Sequence, residues 1–98
     1  MTKDFKKIAK ETLDKIFSMV EKDFKEFDAD FEDENLVVEI NGSTFVISIH
    51  NLTNQIWLSS PKTGAHHFFL NSSNKWEGTR DKNSDLLDLL KEEFNSFK

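Results

Sequence analysis

The sequence predicts an α+β two-layer sandwich, with N- and C-terminal helices packed on one face of a five- to six-stranded antiparallel sheet. Apolar residues recur every three or four positions at both ends of the chain, and they alternate with polar residues in between. Each helix has a single apolar stripe to bury, so both helices must cover the same face of the sheet. The other face is then left open to water.

The composition limits what the chain can be. Its 98 residues are enough for a single domain spanning 1–98. There is no cysteine, which excludes disulfides, thiolate nucleophiles and thiolate-bound metals, so any metal must sit on oxygen or imidazole ligands. No run is long enough to span a bilayer, and the chain opens directly into a helical pattern. We therefore expect no signal or transit peptide, and a protein that is cytoplasmic or already processed.

The first element is an amphipathic helix from residue 4 to about residue 24. Its apolar positions form one stripe, made of Phe5, Ile8, Ala9, Leu13, Ile16, Phe17, Val20 and Phe24. The period then changes from 3.6 to 2, which is typical of a half-buried strand. In this first strand the apolar residues Phe27, Ala29 and Phe31 alternate with acids.

Four or five further strands follow, over 36–40, 44–50, 55–60, 66–70 and, briefly, 75–77. Asn41-Gly42 predicts a two-residue hairpin turn, because both residues tolerate positive φ. Beyond the last strand the helical period returns, with Ser84 as the predicted N-cap. The predicted buried side of this second helix is Leu86, Leu87, Leu89, Leu90, Phe94 and Phe97.

Charge is unevenly distributed along the chain. The net charge is −5, yet residues 21–39 hold nine acids against Lys22 and Lys25, and the remainder is slightly positive. No basic stripe exists, so nucleic-acid binding is not expected. The glycines are scattered turn residues and form no phosphate-binding loop. His66 and His67 are adjacent on a strand and point to opposite faces, so they cannot chelate one ion.

The acids suggest a weak cation site. We call six of them the acidic ridge: Glu21, Asp23, Glu26, Asp28, Asp30 and Glu32. The first three lie at or just beyond the end of the first helix, and the others share one strand face. Like charges repel when no cation is bound, and carboxylates suit hard cations as well as iron. The alternative is a solubilising ridge without a ligand.

One stretch carries a family resemblance. Residues 55–61, Gln-Ile-Trp-Leu-Ser-Ser-Pro, followed by Gly64 and His67-Phe68, resemble the signature strand and turn of the frataxin family, whose bacterial members are called CyaY. The resemblance extends over the whole chain. It includes the Phe5…Ile8-Ala9 opening, the acidic end of the first helix, Trp76 and the closing Leu-Leu…Leu-Leu helix.

The resemblance implies a frataxin-like fold and a non-enzymatic, iron-binding accessory protein that regulates iron–sulfur cluster assembly. Frataxins bind Fe²⁺ and Fe³⁺ weakly at the acidic ridge, here with Glu32 as an outlier, and dock on the complex of cysteine desulfurase and iron–sulfur scaffold protein. The docking surface we predict is the open sheet face, where a Trp and a Phe are expected to be exposed side by side. Its residues are Val46, Ser48, His50, Gln55, Trp57, Ser59, His67 and Phe69. The alternative is that Trp57 is half covered by Asn and Gln neighbours and only packs against them.

Some positions depart from the family pattern. Ser48-Ile49-His50 stands where many frataxins have Asn-Lys-Gln, and His67 stands where many eukaryotic members have a basic residue. We expect a monomer, able to oligomerise with iron, that binds neither membrane nor nucleic acid. The alternatives are a ferroxidase or iron-storage enzyme, and a metal-independent adaptor acting only through its sheet. The resemblance is also compatible with a mitochondrial matrix or a relict mitochondrial organelle.

Overall fold

The computed structural model describes residues 5–81 and 83–97. Helix α1 spans Phe5–Asp23 and helix α2 spans Leu86–Asn95; the strands are β1 (Asp28–Glu32), β2 (Asn35–Ile40), β3 (Ser43–His50), β4 (Gln55–Ser60), β5 (Gly64–Leu70) and β6 (Trp76–Gly78). The six strands form one sheet in sequence order, and every neighbouring pair is antiparallel. This confirms the predicted fold class.

Asp4, the first residue of the predicted helix, lies outside the described residues. None of the helices in the described ranges is long and apolar enough to cross a membrane.

The predicted hairpin turn is also confirmed. Strand β2 ends at Ile40 and β3 begins at Ser43, so that only Asn41 and Gly42 connect them. Their φ values are 49° and 84°, in the left-handed region that asparagine and glycine reach most easily. This short loop fixes the register in which Val38 pairs with Phe45.

The core lies between the helices and the inner face of the sheet. Phe94 of α2 is at its centre, with its ring 4.9 Å from that of Phe45 in β3 and 5.4 Å from that of Phe24 after α1. Both contacts are edge-to-face, the arrangement that aromatic pairs favour. The apolar residues that are buried here are Ala9, Leu13, Ile16, Val20, Phe24, Leu36, Val38, Ile40, Phe45, Ile47, Ile49, Ile56, Leu58, Phe68, Trp76, Leu86, Leu90 and Phe94.

The N-cap of α2 corrects one prediction. The capping residue is Asp85, not Ser84: Asp85 has an extended backbone, and its carboxylate accepts the N–H of Asp88 at 3.2 Å. Ser84 is instead held by its backbone, because its N–H donates to the Asp81 carbonyl and its own carbonyl accepts the Gly78 N–H. The bond from Gly78 joins Ser84 to strand β6, the bond to Asp81 lies within the connecting loop, and the helix begins one residue later than predicted.

A buried carboxylate ties the turn after β4 to α2. Glu93 is only 5% exposed, and its two oxygens accept hydrogen bonds from the hydroxyls of Ser60 and Thr63. The Ser60 oxygen also accepts the backbone N–H groups of Lys62 and Thr63, which closes the turn. Since the Thr63 hydrogen is given to Glu93, the 2.7 Å contact between Thr63 Oγ1 and His66 Nε2 requires His66 to donate. We call Ser60, Thr63, His66 and Glu93 the hydroxyl–carboxylate clamp.

Replacing Glu93→Ala should therefore destabilise the fold. The hydroxyl of buried Ser60 would lose its acceptor, as would that of the more exposed Thr63, and an orphaned buried polar group costs about 1–3 kcal/mol. The matched control is Glu92→Ala, at the exposed neighbouring position, where a surface change should stay within about 0.5 kcal/mol. Denaturant midpoints measure both variants. Equal losses in the two would mean that the clamp contributes nothing to stability.

Candidate functional site

The outer face of the sheet is the surface that neither helix covers. Antiparallel pairing aligns its side chains in rows that cross the strands. The central row runs from Glu32 through Asn35, Ser48 and Trp57 to His67, one residue from each of β1 to β5. Trp57 thus lies on an inner strand of the sheet, three strands from the acidic edge strand β1, and faces away from the core.

Trp57 is held between two histidine rings. Its ring is stacked on that of His50 at a centroid distance of 3.6 Å and on that of His67 at 4.3 Å, with interplanar angles of 18° and 20°. The indole Nε1–H donates to the Gln55 side-chain oxygen at 2.8 Å. Its chain neighbours Ile56 and Leu58 are buried in the core, so Trp57 itself points outward.

The expected exposed pair of aromatic residues is therefore corrected. Trp57 is half-buried, because the two imidazole rings cover its faces. Phe69 is half-buried too and stands opposite Gln55, so it is a diagonal neighbour of Trp57 rather than the residue beside it. The structure does bring all the predicted docking residues to one face: Val46, Ser48, His50, Gln55, Trp57, Ser59, His67 and Phe69.

Leu52 adds an apolar side chain that the sequence analysis missed. It is fully exposed, and it is the one large apolar residue so exposed within 5–81 and 83–97. It lies in the turn that connects His50 to Gln55, both of which are on the outer face. The signal was present in the sequence as a leucine inside a polar turn, Asn-Leu-Thr-Asn.

The acidic ridge is divided between two layers. Asp28, Asp30 and Glu32 are exposed on the outer face of the edge strand β1, whereas Glu21 and Asp23 are exposed at the end of α1, in the helical layer. Glu26 is exposed in the turn between these two groups. Within the described ranges, no three His, Asp or Glu side chains are close enough to hold one metal ion. The ridge is a band of dispersed charge around one sheet edge.

A further acid belongs to this band. Glu39 of β2 pairs directly with Asp28 of β1, and both side chains are exposed on the outer face. Directly opposed like charges destabilise a sheet. Glu39 is not among the predicted ridge residues, although its alternation with buried Val38 and Ile40 indicates an outward direction.

Within the part of the chain that the structure describes, no strand residue on this face is a lysine or an arginine. The segments that form the six strands contain neither residue, while the outer face carries the carboxylates of Asp28, Asp30, Glu32, Glu39 and Glu77. The surface therefore has an acidic margin along β1 and β2 and an aromatic centre on β3 to β5. Such a pattern complements a partner with basic and apolar groups.

Glu34 is acidic too, but it has a structural role. Its carboxylate accepts two hydrogen bonds from the Asn51 amide, at 3.0 and 3.2 Å, and pairs with the Lys6 ammonium at 3.6 Å. The Asn51 hydrogen bonds, helped by the positive charges of Lys6 and Lys10, hold the pKa of Glu34 below its ordinary value. This residue joins the β1–β2 turn to the β3–β4 turn and to α1.

These features define a class of protein: an α+β sandwich in which two helices cover one face of an antiparallel sheet and leave the other face uncovered. The family model for the frataxin-like domain matches residues 1–97, so the chain belongs to the frataxin family. The resemblance stated from residues 55–61 is thereby confirmed.

The relatives are consistent with this assignment. Over 101 residues the chain is 32% identical to the mitochondrial frataxin homolog of Schizosaccharomyces pombe, covering 96% of this chain and 63% of that relative. The chain thus spans less than two-thirds of the length of that curated relative. The frataxin of Psychromonas ingrahamii, from the CyaY family, shares the fold, with a TM-score of 0.85 and 22% identity over 95% of this chain and 87% of its own.

Two yeast structures are similar as well. A trimeric frataxin of Saccharomyces cerevisiae complexed with ferrous iron has a TM-score of 0.75 and 26% identity, over 98% of this chain and 86% of its own. The same yeast protein with a full-length N-terminus has a TM-score of 0.76 and 25% identity, over 99% and 80%. Mitochondrial and bacterial proteins both occur among the relatives, so the family is compatible with either location.

The opposed pair of acids leads to a stability prediction. Asp28→Asn should stabilise the apo protein by about 0.2–1 kcal/mol, because it removes the repulsion from Glu39. Glu39→Gln should do the same, and the double variant should gain less than the sum of the two. Moderate monovalent salt should shrink each gain by screening. A loss of more than about 1 kcal/mol on Asp28→Asn would instead reveal a structural partner for Asp28.

Proposed function

We propose that this protein is a non-enzymatic accessory protein and regulator of iron–sulfur cluster assembly. It docks through its outer sheet face on the complex of cysteine desulfurase and scaffold protein, and it binds iron weakly at the acidic ridge. The observation that carries the proposal is the position of Trp57, presented outward between His50 and His67 and not used by the core. Family membership supplies the link to iron.

The docking surface is supported by the way Trp57 is held. A tryptophan near the centre of a patch is the residue type most often found to dominate binding energy. Here two stacked rings and the Gln55 hydrogen bond restrict the rotation of the side chain before a partner arrives. Such restriction lowers the entropy lost on binding. The fully exposed Leu52 extends the apolar area at one end of the surface.

The acidic margin supports two parts of the proposal. It gives a basic partner surface a complementary field, which speeds association and orients the complex. It also offers carboxylate oxygens to hard cations, and the similar yeast frataxin is described with ferrous iron. Because these carboxylates are dispersed and exposed, iron affinity should be weak and tolerant of metal identity. A ferroxidase, by contrast, would need ligands close enough to hold iron with open coordination positions.

The docking test compares two neighbouring residues that face opposite sides of β4. Trp57→Ala should lower the affinity for the purified desulfurase–scaffold complex strongly, since an interfacial Trp contributes about 2 kcal/mol or more. Its stability loss should stay well below the roughly 3–5 kcal/mol of a buried Trp→Ala change. Ile56→Ala, the matched control, should lose about 2–5 kcal/mol of stability while the folded fraction still binds. Denaturant midpoints and titrations of the complex measure both.

The opposite pattern would end the docking proposal. If Trp57→Ala unfolds the domain, or binds the complex as the unchanged protein does, the outer face is not the interface. The same titration shows whether the desulfurase is activated or inhibited. If ridge substitutions leave assembly kinetics unchanged, the protein acts as a metal-independent adaptor.

The metal test uses the unmodified protein with Fe²⁺, Mn²⁺ or Co²⁺. Each ion should raise the melting temperature, because binding to the folded state stabilises it by RT ln(1 + [L]/Kd). Millimolar metal should be needed for about 1 kcal/mol, and paramagnetic broadening should begin at residues 21–33. Asp30→Asn should reduce both effects, and Asp88→Asn, in the first turn of α2, is the matched control. Broadening centred on His66 and His67, or iron oxidation with catalytic turnover, would contradict this assignment.

A further inference from the structure

Strand β5 (Gly64–Leu70) is longer than its neighbour β6 (Trp76–Gly78), the last strand of the sheet. The β6 ladder pairs only with Phe68–Leu70, and the last bond between the two segments is from the Thr79 N–H to the His67 carbonyl, at 2.9 Å. Beyond this bond the chain turns away towards α2. The first half of β5, residues 64–67, therefore forms a free edge of the sheet.

Among the described residues, none but Thr79 makes a backbone hydrogen bond to this free edge. Since the His67 carbonyl points towards β6, the N–H of His67 points the same way, and so do the N–H and carbonyl of Ala65, two residues earlier. The alternate residues, Gly64 and His66, direct their backbone groups towards β4. Unpaired edge groups of this kind are the template to which an extended chain can add.

A cleft of about 500 Å³ lies along the same edge. Leu89 supplies an apolar side chain to the wall of the cleft, and the segment after β6 supplies polar residues, including Thr79 and Arg80. That segment is held by backbone bonds from Gly78 N–H to the Ser84 carbonyl and from Ser84 N–H to the Asp81 carbonyl. The loop can pack against the end of β6 because Gly78 has no side chain. A Cβ at Gly78 would lie 3.1 Å from the Asp81 carbonyl oxygen.

Arg80 is the cationic side chain that lines the cleft, and Asp81 lines it too. Arg80 is the single arginine of the sequence, it is exposed, and among the residues described no acid forms an ion pair with it. The neighbouring Asp81 uses one carboxylate oxygen to accept the Asn83 N–H, within its own loop. A guanidinium with free donors binds carboxylates in two-point geometry.

The two edges of the sheet differ in how well charged side chains protect them against the addition of another strand. The β1 edge carries Asp28, Asp30 and Glu32, and charged residues on an edge strand discourage the addition of another strand. The free half of β5 carries Gly64, Ala65, His66 and His67, with no acid or lysine among them. A chain that carries a negative charge would be repelled at β1 and attracted at Arg80.

We propose that this cleft binds a short extended peptide segment that carries a carboxylate. The peptide backbone pairs with Ala65 and with the N–H of His67, as an added strand, and the carboxylate binds to the Arg80 guanidinium. Strand addition supplies affinity through main-chain hydrogen bonds, and the wall residues select the side chains. The peptide uses the backbone of His67 at the sheet edge, whereas the proposed docking surface uses the His67 ring that covers Trp57 on the outer face.

The first experiment titrates the ¹⁵N-labelled protein with the tripeptide acetyl-Val-Thr-Val, bearing a free C-terminal carboxylate, and with its C-terminal amide. The carboxylate form should give saturable shifts at the backbone amides of Ala65 and His67. The amide form, and Arg80→Gln with the carboxylate form, should each bind about tenfold more weakly, since a charge-assisted contact is lost. Lys75→Gln, an exposed cation outside the cleft, should bind unchanged.

A proline substitution at Ala65 then tests whether the peptide binds by strand addition. Ala65 is exposed, and its N–H faces the free edge, so Ala65→Pro removes an edge donor without removing a ladder bond. The variant should keep its denaturant midpoint and lose the peptide. The control Ala65→Val keeps the N–H and should still bind.

Several results would overturn the inference. These are shifts that do not saturate, equal binding of acid and amide forms, indifference to Arg80→Gln, or peptide binding retained by folded Ala65→Pro. Should Ala65→Pro fail to fold, the acid–amide and Arg80 comparisons still decide. A cleft that binds no peptide leaves the docking proposal intact, because that proposal is tested at Trp57.

Discussion

The packing of Phe94 against Phe24 and Phe45 fixes the arrangement on which the rest of the structure depends. Phe94 comes from α2, Phe24 follows α1 and Phe45 lies on the inner face of β3, so one aromatic cluster joins both helices to the same side of the sheet. Two helices that each have one apolar stripe can cover only one face. The outer face is thereby left to solvent, and Trp57 can be presented there without a cost to the core.

Because only the outer face is uncovered, the strand acids proposed to bind iron and the tryptophan proposed to bind a partner lie on the same surface. The central row connects Glu32 on the edge strand to Trp57 on β4. Neighbouring strands are about 4.8 Å apart, so three strand spacings put the acidic margin roughly 14 Å from the indole. That distance lies within a single protein–protein interface of ordinary size. A partner that covers Trp57 would therefore be close to the strand acids as well.

The sequence was most informative where structure is local. Periodicity located both helices and all six strands, and Asn41-Gly42 defined a hairpin, because a helix stripe or a turn depends on residues close in the chain. Apart from Leu52, whose exposure in a polar turn is a local feature, the missed features depend on contacts between distant segments. Glu39 lies beside the ridge acids because β2 pairs with β1, which sets Glu39 opposite Asp28. His50 on β3 and His67 on β5 cover the ring of Trp57 on β4. The carbonyl of Ser84 accepts a hydrogen bond from Gly78 of β6. Glu93 looked like an ordinary surface acid in its helical pattern, yet the turn after β4 buries it.

The hydroxyl–carboxylate clamp has a consequence for how sequences of this fold can diverge. Removing one member leaves buried polar atoms unpaired, whereas replacing the whole set with apolar residues of similar shape can be nearly neutral. Ser60, Thr63 and Glu93 are in direct contact, so their substitutions cannot be additive. Substitutions at these three positions should therefore occur together in evolution. Homologues are expected to keep all three residues or to have replaced all three, and few should have replaced only one or two.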